Sequence, residues 1–249
     1  MLTEERHQKI LQLLSQQMIV KTQELTALLN TSESTIRRDL KELADANLLE
    51  RIHGGARLLL NLSFEQNMTE KADQNNQEKK AIATLAAQNI HDNEIIYLDA
   101  GSTTLKLIPL LKDKKITVVT NAVHHAAKLV DLGIHTIILG GSLKLSTKAI
   151  IGATSMEQLQ RYRFNKVFIG MNAVHPEFGL TTPDSEEAAL KSLAISQGEQ
   201  TYVLADHTKL NQVSFIKVHS IEKVTLLTDH CSSELLEQFQ QITTIKEAT

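Results

Sequence analysis

At 249 residues the chain can hold a small module plus one core-forming domain, and its single cysteine, Cys231, excludes an intramolecular disulfide and a cysteine-rich metal cluster. Residues 1–57 hold eight Lys/Arg against eight Asp/Glu, which excludes the basic block of a nonspecific nucleic-acid binder, so any DNA binding must rest on local placement and on two copies of the chain. The polar, charged N-terminus reads as neither a signal peptide nor a spanning segment, and a reducing cytoplasm is expected.

In chain order, Thr3 is placed to cap a helix whose Ile10, Leu11, Leu14 and Met18 share an apolar stripe. Thr22 is placed to cap a second helix carrying Leu25, Leu28 and Leu29. Residues 29–32 supply a turn, and Ser32 is the expected N-cap of a third helix, because its hydroxyl can accept from a free first-turn N–H. Helical spacing puts Ile36, Leu40, Leu43 and Ala44 on the buried face, Ser34, Arg38, Lys41 and Asp45 opposite, and Thr35 and Arg37 on the flanks. Hydroxyls and guanidiniums on the first two turns are what a DNA-recognition helix presents to base edges. Two β-prone runs, 48–52 and 57–60, flank a Gly54-Gly55 turn and read as a hairpin wing, whose Arg51, His53 and Arg57 can meet phosphate or the minor groove. A small helical domain with a solvated Ser/Thr/Arg face is the plainer reading of any one signal. Three helices followed by a wing favour DNA binding.

These stretches together resemble the DeoR-type bacterial transcriptional regulators. The likeness is carried by Glu5-Arg6-His7-Gln8-Lys9-Ile10, Thr35-Ile36-Arg37-Arg38-Asp39-Leu40 and Arg51-Ile52-His53-Gly54-Gly55-Ala56, and it continues to the C-terminus. Within the family the chain is most similar to the fructose operon repressors, notably in Glu33-Ser34-Thr35-Ile36-Arg37-Arg38 and Tyr162-Arg163-Phe164. The expected organisation is a winged helix-turn-helix domain over 3–58, a polar connector with some helix over 59–76, and an α/β effector domain over 77–249. Where many relatives carry arginine the connector has Lys71, which keeps the charge without the planar fork.

From residue 78 onward helical stripes alternate with β-rich runs at 94–98, 116–120, 136–139, 166–169, 201–204 and 224–227, the pattern of a largely parallel sheet. Ligands in such sheets sit beyond the carboxyl ends of strands. The first ending, Asp99-Ala100-Gly101-Ser102-Thr103-Thr104, combines a glycine that permits close approach with hydroxyls and free helix-start N–H groups, which suit an anion such as phosphate. A capped turn with no ligand is the even alternative, and the missing P-loop lysine argues against a nucleoside triphosphate. Pro109 should kink or shift the following helix. Thr120-Asn121, Gly140-Gly141, Gly170, and Asp206 with Lys209 end further strands.

The family resemblance implies an effector domain like the ribose-phosphate isomerase and CoA-transferase superfamily. It places phosphate at 101–104 and sugar or phosphate contacts among Asp99, Asn121, Asp206 and Lys209. It also brings Glu186, Glu187 and Lys191 to the pocket border, where spacing alone reads Glu187 and Lys191 as a surface ion pair. The expected effector is fructose 1-phosphate or a related hexose phosphate, with no cofactor. Ten histidines without metal-ligand spacing give no metal site. The expected function is a repressor of a sugar-utilisation operon, binding double-stranded operator DNA as a homodimer or tetramer and released by the phosphorylated sugar. The alternatives are a sugar-phosphate isomerase or CoA-transferase-like enzyme using Asp99, Glu186 or Glu187, and Lys191, and, more weakly, an RNA-binding protein, which lacks the expected aromatic platform.

Overall fold

The computed structural model describes residues 3–17, 19–46, 48–58 and 67–248, and the chain divides into two compact units, 1–61 and 62–249. Met18 of the first apolar stripe and residues 59 and 60 of the expected wing lie outside the described residues.

The first unit runs α1 (Thr3–Gln17), β1 (Ile19–Lys21), α2 (Thr22–Leu28), α3 (Glu33–Asp45), β2 (Leu49–Ile52) and β3 (Gly55–Leu58). Its core collects Ile10 and Leu14 of α1, Leu25 of α2, and Ile36, Leu40 and Leu43 of α3 against Val20, Leu49 and Ala56. Ser32 caps α3 as expected, accepting from the Thr35 N–H at 3.2 Å. Thr22 does not cap α2: Lys21 is the N-cap, its N–H donates to Glu24 Oε2 at 3.3 Å, and Thr22 is buried in the first turn. The sequence reading also missed β1, three residues too short to show a period, which makes the wing a three-stranded sheet in the order β1-β3-β2. At the wing's turn the left-handed backbone belongs to Gly54 (φ 81°). Gly55 is needed for a different reason: a Cβ there would sit 2.1 Å from the Val20 carbonyl oxygen of β1.

In the second unit α4 (Met68–Asp73) and α5 (Asn76–Ala87) come first, so 68–76, read as the end of a connector, is a helix, a turn and the start of a second helix within this unit. There follow β4 (Ile95–Leu98), α6 (Ser102–Leu107), β5 (Thr117–Thr120), α7 (Val123–Asp131), β6 (His135–Ile138), β7 (Ser142–Leu143), β8 (Ile150–Ile151), α8 (Ala153–Leu159) and β9 (Phe164–Gly170). The chain ends with β10 (Ala173–His175), β11 (Gly179–Thr182), α9 (Ser185–Gln197), β12 (Gly198–Leu204), β13 (Ile216–His219), β14 (Thr225–Thr228), α10 (Ser233–Gln240) and β15 (Thr244–Glu247). Pro109 falls in a 3₁₀ turn, Ile108–Leu111, which takes over from α6 where an α-helical hydrogen bond would have been lost.

Seven parallel strands form the main sheet in the order β15-β14-β12-β9-β4-β5-β6. One face packs Tyr97, Val119, Val167, Ile169, Val203 and Leu226 against α8, α9 and α10. The other packs Ile96, Leu98, Val118 and Phe168 against Ile82, Ala83 and Ala86 of α5 and the 3₁₀ turn. With both faces covered the strands read as unbroken apolar runs. The six expected strands are all present; β15 and the antiparallel sheet β10-β11-β13 were not foreseen. Cys231 is buried, and burial pushes its thiol up to about 11, which disfavours the thiolate. Among the described residues no helix is long and apolar enough to cross a membrane.

Candidate functional site

Chain order along the main sheet reverses between β4 and β9: β4, β5 and β6 run outward one way, and β9, β12, β14 and β15 the other. The carboxyl ends of β4 and β9 therefore diverge into crossovers on opposite sides, leaving a crevice where open α/β sheets bind ligands. A cleft occupies that place. Ala100, Gly101, Ser102 and Thr103 line it beyond β4, Gly170 at the end of β9 with Met171 and Asn172 beyond it, and Ala205, Asp206 and Lys209 beyond β12. Gly101 and Gly170 face each other across the crevice, and a Cβ on Gly101 would meet Gly170 Cα at 3.4 Å and Thr104 Oγ1 at 3.0 Å.

Helix α9 supplies Glu187 and Lys191 from below, and the α4–α5 corner supplies Lys71, Gln74, Asn75 and Lys79. The surface ion pair between Glu187 and Lys191 is not formed, because both are buried and each has another partner. Lys191 Nζ donates to Asp99 Oδ2 and, at 3.0 Å, to the Gly170 carbonyl; Asp99 Oδ2 also accepts from the Gly170 N–H at 3.2 Å. Glu187 accepts from Thr147 Oγ1 at 2.6 Å and Lys144 Nζ at 3.2 Å. Burial works to raise the Glu187 carboxyl, but Lys191, Thr147 and Lys144 together hold it below the usual glutamate value.

Several expected site residues build the frame and do not line the cleft. Thr104 is fully buried; its Oγ1 donates to the Asp99 and Gly101 carbonyls at 2.6 and 2.8 Å and lies 3.1 Å from His125 Nε2. Burial drives His125 down to about 3, so the ring is neutral. Asn121 pins the β4 exit, accepting from the Ala100 N–H at 3.1 Å, and Thr120 accepts from the Ala122 N–H at 3.2 Å. Gly140 donates its N–H to Gln158 Oε1 at 2.8 Å, and a Cβ on Gly141 would meet Ser155 Oγ at 2.4 Å. Glu186 is exposed outside the lining.

The corner residues were missed by sequence reasoning, although Lys71, Asn75 and Lys79 recur at four-residue spacing. Lys79 is the most unusual: only 3% exposed, its ammonium donates to the carbonyls of Lys71 and Gln74, the latter at 2.7 Å. Burial pushes Lys79 below the usual lysine value, and Asp206 pulls it part of the way back. Asn75 sits in the left-handed region (φ 50°) and donates through Nδ2 to Asp206 Oδ1 at 3.0 Å, which ties the corner to the end of β12.

In the first unit, Ser34, Arg37, Arg38 and Lys41 of α3 and Arg51, His53 and Arg57 of the wing are exposed, and Thr35 is half-buried beneath the cap. Arg37 lines one hollow with Arg51, His53 and Gly54; Ser34, Thr35 and Arg38 line another. Behind them is a group the sequence did not announce. Asp39, on the buried face of α3, takes Arg6 of α1 in a bidentate pair at 2.5 and 2.7 Å, with His7 Nε2 at 3.2 Å.

The DeoR-like helix-turn-helix domain matches residues 6–61 and the DeoR C terminal sensor domain residues 74–230. The chain belongs to the DeoR family. An uncharacterized helix-turn-helix transcriptional regulator of Bacillus subtilis, FruR, is 44% identical to this family member over 247 residues, which is 99% of this chain and 98% of that one. The transcriptional repressor GlcR of the same organism is 34% identical over 228 residues, 91% of this chain and 88% of its own. Ribose 5-phosphate isomerase A from Neisseria gonorrhoeae superposes at a TM-score of 0.41 with 20% identity, covering 55% of this DeoR-family chain and 54% of the isomerase, a likeness too slight to bear on chemistry.

Proposed function

We propose that this DeoR-family regulator is a cytoplasmic repressor of a sugar-utilisation operon, binding double-stranded operator DNA as a homodimer or tetramer and released by a phosphorylated hexose. Similarity to a relative named FruR supports fructose as the sugar and fructose 1-phosphate as the first effector to try. The observation that carries the sensing role is the cleft at the β4/β9 reversal, which gathers Lys71, Lys79, Lys191 and Lys209 around Gly101, Ser102 and Thr103. Phosphate is the ligand that suits such a set: the first-turn amides of α6 have no helical carbonyl to bond, and the ammonium of Lys79 is held by backbone carbonyls. Asp206, Asn75 and Asn172 supply acceptors and donors for sugar hydroxyls. Asp99 and Glu187 are engaged by Lys191, Thr147 and Lys144, an arrangement of fixed binding groups, with neither carboxylate free to move a proton.

On the DNA side, Ser34, Thr35, Arg37, Arg38 and Lys41 would face the major groove, and Arg51, His53 and Arg57 the backbone or minor groove. Release requires the effector to bind the poorly DNA-binding arrangement better, since equal affinity for both shifts nothing. The test is thermal shift against fructose 1-phosphate, fructose 1,6-bisphosphate and tagatose 6-phosphate, followed by release of bound operator. A ligand at a hundred times its dissociation constant adds about 2.7 kcal/mol. Thr103→Asp, which puts a carboxylate where phosphate is to sit, should keep operator binding and lose both the shift and the release. A normal response in that variant would move the phosphate away from 101–103.

A further inference from the structure

Three arginines on the DNA-facing surface are already paired within the unit. Arg37 donates to Glu33 Oε1 through Nε and Nη2 at 3.1 and 2.6 Å, Arg38 Nε to Glu42 Oε1 at 3.0 Å, and Arg57 Nε to Glu50 Oε2 at 2.7 Å. All six side chains are at least 43% exposed. Fold stability accounts for little of them, although Glu33 precedes Arg37 in the favourable order and Glu50 stands opposite Arg57 across the hairpin. Exposed pairs contribute about 0–1 kcal/mol, and Arg38 with Glu42 has the arginine on the N-terminal side, the weaker order on a helix.

Their effect appears when DNA approaches. Attraction to phosphate is a sum over nearby charges, so a guanidinium carrying its own carboxylate offers a phosphate little. Base-edge readout depends instead on short, directional hydrogen bonds to neutral acceptors, which a neighbouring carboxylate disturbs less. The pairing therefore penalises backbone-only binding more than operator binding, and it accounts for a DNA-binding unit whose residues 1–57 balance eight basic against eight acidic side chains.

We propose that Glu33, Glu42 and Glu50 set the sequence specificity of this regulator, each holding a DNA-facing arginine, Arg37, Arg38 or Arg57, in an ion pair that phosphate alone does not displace. The inference rests on the reading of α3 and the wing as the DNA-facing surface. It assigns these acidic residues a role in rejecting non-operator DNA, a function of repulsion and not of contact.

Glu33→Gln, Glu42→Gln, Glu50→Gln and the triple variant, each in the full chain, are titrated against a mixed-sequence duplex and against a duplex that the wild type selects from a random pool, over a salt series. Each single change should tighten mixed-sequence binding roughly fivefold, the effect of removing one unit charge at about 4 Å in water. The selected duplex should tighten less, so the specificity ratio falls, and the salt slope should steepen by about 0.9 for each further phosphate that the freed arginines neutralise. Glu222→Gln, an exposed position of the second unit, removes the same charge and should change neither. Wild-type mixed-sequence affinity and slope in the triple variant would overturn the proposal. So would weaker binding of the selected duplex by any single variant, which would make that glutamate a base reader. A wild type that selects no duplex from the pool and does not bind the mixed-sequence duplex would overturn the DNA-facing reading itself, and this inference with it.

Discussion

The residues proposed to meet DNA lie between Ser34 and Arg57, on one helix and one hairpin, nearly all with exposed side chains. The cleft of the second unit draws on residues from Met68 to Lys209, brought together by the reversal of strand order between β4 and β9. A contiguous surface can be read from spacing, because helix geometry alone decides which residues share a face. An assembled cleft cannot, because sheet order decides which strand ends are neighbours. The first unit is thus fragile at the residues that orient α3, and the second at the residues that shape its strand exits.

The largest effect expected from this contrast is at Asp39. Asp39→Ala leaves the Arg6 guanidinium, 9% exposed, without its carboxylate, and breaking a buried pair in this way costs about 3 kcal/mol. Denaturation of the full chain should show the first unit melting early and the second unchanged. Burial alone would raise the Asp39 carboxyl, but the bonds from Arg6 and His7 outweigh it and leave the group below the usual aspartate value. A depressed folded value means that this stability is fully present above the unfolded pKa, about 3.9, and is lost as pH falls through the folded one. Acid titration of the wild type should therefore unfold the first unit in that low window, and Asp39→Ala should flatten the dependence. A variant as stable as wild type would show that α3 is held by its apolar stripe alone.

Next in size is Gly141→Ala, which sharpens the second half of the comparison. A Cβ there meets Ser155 Oγ at 2.4 Å and the Ile151 carbonyl at 2.5 Å, on a backbone with φ 147° that L residues rarely adopt. Strain and forced displacement of this kind cost about 2–3 kcal/mol. The loss should appear in the melting of the second unit, while the folded fraction keeps its effector affinity, because Gly141 shapes the exit of β6 without lining the cleft. Lost affinity at unchanged stability would return the Gly140-Gly141 turn to the binding site.

These two residues mark where sequence reading stopped. Ile36, Leu40 and Leu43 gave the buried face of α3 because apolar period and burial coincide there. Asp39 sits on the same face and was passed over, since a carboxylate between two apolar positions shows nothing of the Arg6 it meets across the domain. In the second unit, the strands and their small or polar endings were legible from apolar runs and glycines. Which endings meet was not: Gly101 and Gly170 face each other, whereas Gly140 and Gly141 brace α8 through Gln158 and Ser155. The α4–α5 corner was hidden by composition, because a polar run rich in Asn, Gln and Lys looks the same whether solvated or folded over a charged cleft.

Lys79→Met tests that corner with a smaller effect on stability. Removing a buried ammonium eliminates a desolvation cost and loses two hydrogen bonds to carbonyls, so the net change should stay within about 1 kcal/mol. Effector binding should fall far more, because one of the cations around the proposed phosphate is gone. Calorimetric titration with the sugar phosphate that shifts the wild type is the measurement. Unchanged affinity in Lys79→Met would make the corner a structural brace and confine the binding groups to the strand ends.

The smallest effect is expected from Glu186→Gln, and it separates two glutamates that the sequence presents as equals. Both open α9, but Glu186 points to solvent whereas Glu187 is 7% exposed and bonded to Thr147 and Lys144. A surface change away from any buried network alters stability by no more than about 0.5 kcal/mol, and removing one solvated charge outside the lining should move effector affinity by less than about twofold. Glu187→Gln, by contrast, weakens charge-assisted bonds to the hairpin loop beside the cleft and should be detectable in both readouts. If Glu186→Gln lowered effector affinity tenfold, α9 would have to rotate by about a residue when ligand binds, and the cleft described above would belong only to the empty state of the sensor.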